Sequence, residues 1–182
     1  MTKTKAILNE IENVINQVKE TDLEIISQQL VKAPRIFVVG EGRSGLMAKS
    51  FAMRLMHLGA TVYVVGETIT PSMTKGDCLV AVSGSGTTQN VASVAQKSRA
   101  LDCDVIVVTT NPESLAALSA ASILHVPAAT KFRKENEARS IQPLGSLFDQ
   151  SVHLLFDTIC LIYAELRDID NQKAFEQHSN LE

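Results

Sequence analysis

The stretch 83-SGSGTT-88 sets four hydroxyls among two glycines, directly after the apolar run 78-CLVAV-82 and directly before a helical pattern. Ser83, Ser85, Thr87 and Thr88 supply O–H donors, while Gly84 and Gly86 let backbone N–H groups turn inward. The following helix adds unpaired N–H groups and a partial positive end. The turn has no G-K-[ST], so no lysine reaches a terminal phosphate as it does in nucleoside triphosphate loops. The chemistry that fits is a neutral cradle for one dianionic phosphate monoester. Helix capping is the plainer role for these hydroxyls and accounts for one of them; four at one strand end exceed what a cap requires.

A second glycine turn, 40-GEGRSG-45, matches the G-x-G-x-x-G fingerprint of dinucleotide sites, and Glu67 beyond the next strand offers a ribose acceptor. Arg43 and Ser44 inside the turn argue against that ligand, because a pyrophosphate needs close backbone approach there. Arg43 has two readings, a phosphate or sugar-hydroxyl ligand and a surface partner of Glu41. Arg54 and His57 stand at the end of the helix that follows, as substrate contacts or as helix-end and interface residues. Asp149, His153 and Asp157 fall at i, i+4 and i+8 of a later helix and share a face. A phosphate cradle needs no metal, so neither metal nor cofactor is expected.

Positioning these residues takes a framework. Residues 3 to 20 carry Ile7, Ile11, Val14 or Ile15 and Val18 at helical spacing, and Thr21 before Glu24 has the form of a capping box opening a helix through Leu30. Pro34 closes this helical extension, residues 1–34. Strands are expected at 35–40, 61–65, 78–83, 105–110 and 123–127, with helices at 44–58, 88–100, 112–121 and about 145–166. In the loop 128–142, Lys131, Arg133 and Lys134 alternate with Glu135, Glu137 and Arg139 and read as a solvated surface. The tail 168–182 shows no strong pattern. Apolar strands separated by helices imply an α/β fold, a three-layer α/β/α sandwich on a five-stranded parallel sheet, in one domain over 1–182. Both glycine turns then lie beyond the carboxyl ends of strands, where such sheets bind ligands.

Bulk composition narrows the classes. Seventeen basic against twenty acidic side chains, net −3, give no general attraction to nucleic acid or an anionic membrane, and neither is expected as a partner. With no Trp and two Tyr, platforms for stacking bases are few. The N-terminus MTKTKAILNEIENV lacks an apolar h-region, and no continuous apolar run approaches about eighteen residues, so a soluble cytoplasmic protein is expected. Cys78, Cys103 and Cys160 lie apart in apolar runs and read as buried thiols rather than a disulfide framework.

Taken together, 42-GRSGLMAKSFAMRLMHLG-59, 65-VGETITP-71, SGSGTT, 141-IQPLGSLFDQ-150 and 178-HSNLE-182 resemble 6-phospho-3-hexuloisomerase, a sugar-isomerase (SIS) domain family of the ribulose monophosphate pathway. The resemblance runs in order along nearly the whole chain. SGSGT alone would indicate only a phosphosugar-binding domain. The family implies a tetramer with sites shared across subunits, and metal-independent interconversion of D-arabino-3-hexulose 6-phosphate and D-fructose 6-phosphate. It also implies a metabolic partner, the formaldehyde-fixing 3-hexulose-6-phosphate synthase. Ser44 and the run Ser83, Gly84, Ser85, Gly86, Thr87 and Thr88 match its substrate pocket. The family's proton acceptor is a glutamate after PLGSLF; here the position holds Asp149, one methylene shorter, and misplacement by about 1 Å costs on the order of a hundredfold in rate. Glu41 stands where alanine is common; it adds a carboxylate beside the expected anion site and is expected to point away from it.

The implied reaction takes a proton from C2 and returns it at C3 through a cis-enediol, which one carboxylate can serve because the carbons adjoin. Asp149 is the expected base; its plainer role is that of a carboxylate favoured in a helix's first turn. His178 is the expected carrier of the oxygen-side proton, or else an idle tail histidine. If the tail folds over a neighbouring subunit's site, it also keeps water from the enediolate. Glu67 would bind a hydroxyl or orient His178. Another phosphosugar isomerase, a nonenzymatic phosphosugar sensor and a dehydrogenase remain as alternatives. Sensors of this kind usually carry a DNA-binding module, for which residues 1–34 are too few and too neutral.

Overall fold

The computed structural model describes residues 1–135 and 137–181. Two helices, α1 (Lys3–Ile15) and α2 (Glu20–Lys32), precede β1 (Ile36–Gly40), α3 (Gly42–His57), β2 (Val62–Val64), β3 (Cys78–Val82), α4 (Gln89–Ala100), β4 (Asp104–Thr109) and β5 (Ser122–His125). The long α5 (Ser146–Leu166) and short α6 (Asn171–Glu176) complete the chain. All five strands are parallel, in the order β2-β1-β3-β4-β5.

Strand alternation sorts the core into two layers. Ile36, Val38, Val80, Val82, Ile106 and Val108 point to the face covered by α1, α2, α3 and α5, where Phe51 and Phe156 stack at 4.1 Å. Phe37, Val39, Leu79, Ala81, Val105 and Val107 point to the other face, against Val91, Ala92 and Ala95 of α4. The expected three-layer sandwich is therefore what forms. At the amino ends of β1 and β3, Arg35 Nε donates to Asp77 Oδ1 at 3.0 Å, pinning the two central strands away from the ligand end. By length and composition α5 could cross a bilayer, but Leu147, Val152, Leu155 and Ile159 lie in the core. All three cysteines are free and buried, and burial pushes the Cys78 and Cys160 thiols up to about 12.

Local expectations fail in three places. No capping box forms at Thr21: α2 starts at Glu20 behind Lys19, two residues earlier than a Thr21 cap would place it, with Glu20 and Asp22 favouring its first turn. The expected helix at 112–121 shrinks to a 3-10 turn at Ala117–Ser119, because Ala116 N–H donates to the Gly86 carbonyl instead of continuing a helix. The tail, which has no clear pattern, forms α6, capped where Asp170 accepts from Lys173 N–H.

Candidate active site

Gly40 pairs with Val82, so the carboxyl ends of β1 and β3 lie side by side, while their onward connections lead to opposite sides of the sheet. A crevice forms at such a switch point. The 40–45 turn can hug its strand because both ends are glycine: a Cβ on Gly45 would lie 2.6 Å from the Gly40 carbonyl oxygen. Close strand–helix packing thus explains the G-x-G-x-x-G spacing without a dinucleotide. The hydroxyl turn is tightened at Gly86 (φ 66), where a Cβ would lie 1.9 Å from Ser114 Oγ.

The two turns, the first turn of α5 and the loop before it enclose a cavity of about 370 Å³. Arg43, Ser44, Gly84, Ser85, Thr88 and Asp149 all line it. Asp149 is buried, with 4% of its surface exposed. Ser44 Oγ donates to Asp149 Oδ1 at 3.2 Å, Arg43 Nε lies 3.3 Å from Oδ2, and Arg43 Nη1 donates to Ser146 Oγ at 2.6 Å. Burial pushes the Asp149 carboxyl above the usual carboxylate range, and the Arg43 charge and Ser44 bond only partly offset it. The result is a fixed carboxylate more basic than one in water.

Helix capping does not use the hydroxyls. Glu41, Thr88 and Gly145, the residues that precede α3, α4 and α5, make no side-chain capping bond and all line the cavity. Three partial positive ends therefore converge on one space, as an anion site requires. Within the turn the labour divides. Ser83 is buried, bonded to Thr88 Oγ1 at 2.9 Å and accepting from Gly86 N–H, and Thr87 hydrogen-bonds Ser85. Ser83, Gly86 and Thr87 shape the turn; Gly84, Ser85 and Thr88 face the cavity. A larger open cleft of about 890 Å³ beyond β4 and β5, lined by His125, Glu113 and Lys134, has neither the hydroxyl turn nor a buried carboxylate.

A model of the SIS domain matches residues 29–154. The chain belongs to the SIS-domain family. It is 39% identical over 176 residues to the 3-hexulose-6-phosphate isomerase of Bacillus subtilis, covering 97% of this chain and 95% of that one. A Methanococcus jannaschii crystal structure described as inferring a 3-hexulose-6-phosphate isomerase function superposes with a TM-score of 0.86 at 28% identity, covering 100% of both chains. The sugar isomerase domain of a Sphaerobacter thermophilus RpiR transcription factor shares the fold, with a TM-score of 0.74 at 17% identity over 96% of this chain and 94% of that one.

In this SIS domain several residues sit elsewhere than the spacing suggests. His178 stacks on His57, ring centroids 5.2 Å apart, at the far end of α3, about 20 Å along the helix from Ser44. Burial, then Arg54 and His178, hold His57 below the ordinary histidine range. Arg54 is exposed at that same end, and Glu67 lies in the turn after β2 without lining the cavity. Glu182, the last residue of the HSNLE motif, lies outside the described residues. Glu41 lines the cavity and accepts from Asn90 at 2.6 Å instead of pairing with Arg43. The face shared by Asp149, His153 and Asp157 does not hold, since each i+4 step drifts by about 40°. Asp149 points inward, while His153 and Asp157, about half exposed, pair at 3.7 Å.

The domain's cavity also uses residues that the pattern hides. Thr130, Lys131, Phe132 and Phe148 line it, and Ser146 orients Arg43. Lys131 is exposed, as expected of a solvated loop, and also borders the cavity. Its alternating-sign neighbours mask it, and only its place in the loop that leads to the Asp149 helix could have flagged it.

Proposed function

We propose that this chain interconverts D-arabino-3-hexulose 6-phosphate and D-fructose 6-phosphate in the cytoplasm, next to 3-hexulose-6-phosphate synthase. The observation that carries the reading is the buried Asp149 carboxylate in one cavity with the Ser85 and Thr88 hydroxyls and three uncapped helix ends. The 3-hexulose-6-phosphate isomerases among its relatives support the choice of substrate. Three buried free thiols suit a reducing compartment.

The phosphate sits against Ser85, Thr88 and the α4 N-terminus, with Lys131 at the cavity wall. Asp149 removes the C2 proton, giving an enediolate between C2 and C3, and returns a proton at C3. Its raised basicity favours the first step, and Arg43 beside it offsets the charge that develops. Oxygen-side proton transfer falls to His178 of a neighbouring copy in a homotetramer, because a chain's own His178 lies at the wrong end of α3.

A coupled assay tests this: 3-hexulose 6-phosphate made in situ, with fructose 6-phosphate followed, for wild type, Asp149→Asn and Asp149→Glu. Wild type and Asp149→Glu are expected to turn over and Asp149→Asn to fail. Fructose 6-phosphate binding without turnover by wild type would sink the isomerase and leave a sensor or another phosphosugar's isomerase.

A further inference from the structure

We propose that Glu10, on the N-terminal helix α1, is a positioning residue for the active site, clamping the loop that forms one cavity wall. The kinetic part of this inference rests on the isomerase reading; the clamp itself does not.

The Glu10 carboxylate gathers three donors from residues 130 or more positions away. Ile141 N–H donates to Oε1 at 2.7 Å, and Ser140 Oγ and Gln142 Nε2 donate to Oε2 at 2.8 and 3.1 Å. Burial would raise this carboxyl, yet the bonds from Ile141, Gln142 and Ser140 and the Arg133 charge outweigh it and hold it below its ordinary range. The clamp then reaches the cavity by two routes. Arg133 Nη2 donates to the Gln142 carbonyl, tying the clamped segment to Lys131 and Phe132 in the wall. In the other direction Gln142 is three residues from Gly145, the wall residue that opens the Asp149 helix. A second carboxylate works alongside: Glu137 accepts from Thr130 N–H and Oγ1 at 2.7 and 2.6 Å.

The loop needs such restraint. Arg133 (φ 49) and Leu144 (φ 53) both hold left-handed backbone, which side-chain-bearing residues adopt at a cost and keep only where their surroundings impose it. Glu10 itself lines no part of the cavity. Its contribution is to hold Lys131, Phe132 and the α5 N-terminus in one arrangement before substrate arrives.

The test uses the full chain with Glu10→Ala, Glu10→Gln and, as a control on the same helix, Glu12→Ala. Steady-state rates, Tm and tryptic cutting at Lys131, Arg133, Lys134 and Arg139 are read for each. Glu10→Ala is expected to raise KM on the order of tenfold with kcat changed much less. It should speed cutting in this loop before elsewhere, and fructose 6-phosphate should slow that cutting. Glu10→Gln, which keeps an acceptor, should fall between wild type and alanine, and Glu12→Ala should match wild type. An unchanged KM and unchanged loop cutting in Glu10→Ala overturns the proposal. So does a uniform loss of Tm, kcat and protection across the chain, which marks an ordinary folding contact. If wild type proves inactive as an isomerase, the clamp is judged by the fructose 6-phosphate concentration that halves loop cutting, which Glu10→Ala must raise.

Discussion

The His178 imidazole lies on that of His57, planes 16° from parallel, with the Phe175 ring 6.4 Å from His178 on α6. The tail is therefore docked on its own α3, at the end opposite Ser44. A catalytic His178 must then serve a neighbouring copy, and the prediction is subunit complementation. Asp149→Asn and His178→Ala proteins, each inactive alone, should regain part of the wild-type rate after mixing under conditions that exchange subunits. A mixture as inactive as its parts would remove His178 from any shared site.

In the proposed reaction Asp149 must be ionised to accept a proton, and its carboxyl is held above the usual range, chiefly by burial. The rate constant kcat/KM should therefore fall as pH drops through that raised value, and Arg43→Gln should move the acid limb to higher pH. An unmoved limb in Arg43→Gln would show that another group titrates.

The same raised value acts in the opposite direction on folding. A group bound more tightly to its proton in the folded state adds stability below its unfolded value and loses it as pH rises through the folded one. Asp149→Asn should thus lower kcat on the order of a thousandfold yet leave Tm at pH 7 equal to or above wild type. A clear fall in Tm would mean that the Arg43 and Ser44 contacts outweigh the burial cost.

What could be read from the chain follows the range of the forces. Strand alternation is local and strong, so all five strands and both glycine turns fall within a residue or two of expectation. Ser85, Thr88 and Asp149 share a cavity because parallel pairing puts the β1 and β3 ends together, a consequence of topology that apolar runs already imply. What stayed hidden depends on contacts distant in sequence. Lys131 borders the cavity on a loop tied back through Ser140 to Glu10 and through Thr130 to Glu137, and the Ser83 hydroxyl is bonded to Thr88. The helix at 112–121 failed for the same reason, its Ala116 N–H taken by Gly86.

Gly86 is the residue on which the hydroxyl turn closes. Alanine there meets both a left-handed backbone and Ser114, whose Oγ would be 1.9 Å from the new Cβ. Gly86→Ala should cost about 2 kcal/mol or more. Thermal unfolding checks this, together with fructose 6-phosphate binding, which should weaken. Paired with Ser114→Gly, part of the loss should return, since the Ser114 collision is relieved while the backbone strain and a 3.0 Å approach to Thr109 Oγ1 are left. An unchanged Tm in Gly86→Ala would show that the turn relaxes freely and is no rigid cradle.

Lys131 decides whether the cavity holds the phosphate by neutral donors alone. Around it the charged lining residues are Glu41, Arg43 and Asp149, and Arg43 is committed to Asp149 and Ser146. That leaves Lys131, its ammonium 5.1 Å from the centre of the Phe132 ring, as the lining cation with no carboxylate partner among the described residues. Lys131→Ala should raise KM on the order of tenfold while kcat holds, and Lys131→Arg should recover most of it. Added salt should raise the wild-type KM more steeply than that of the alanine variant, because screening removes a charge contact only where one exists. If KM and its salt slope are the same in all three proteins, Lys131 is a solvated side chain and the three helix ends carry the phosphate by themselves.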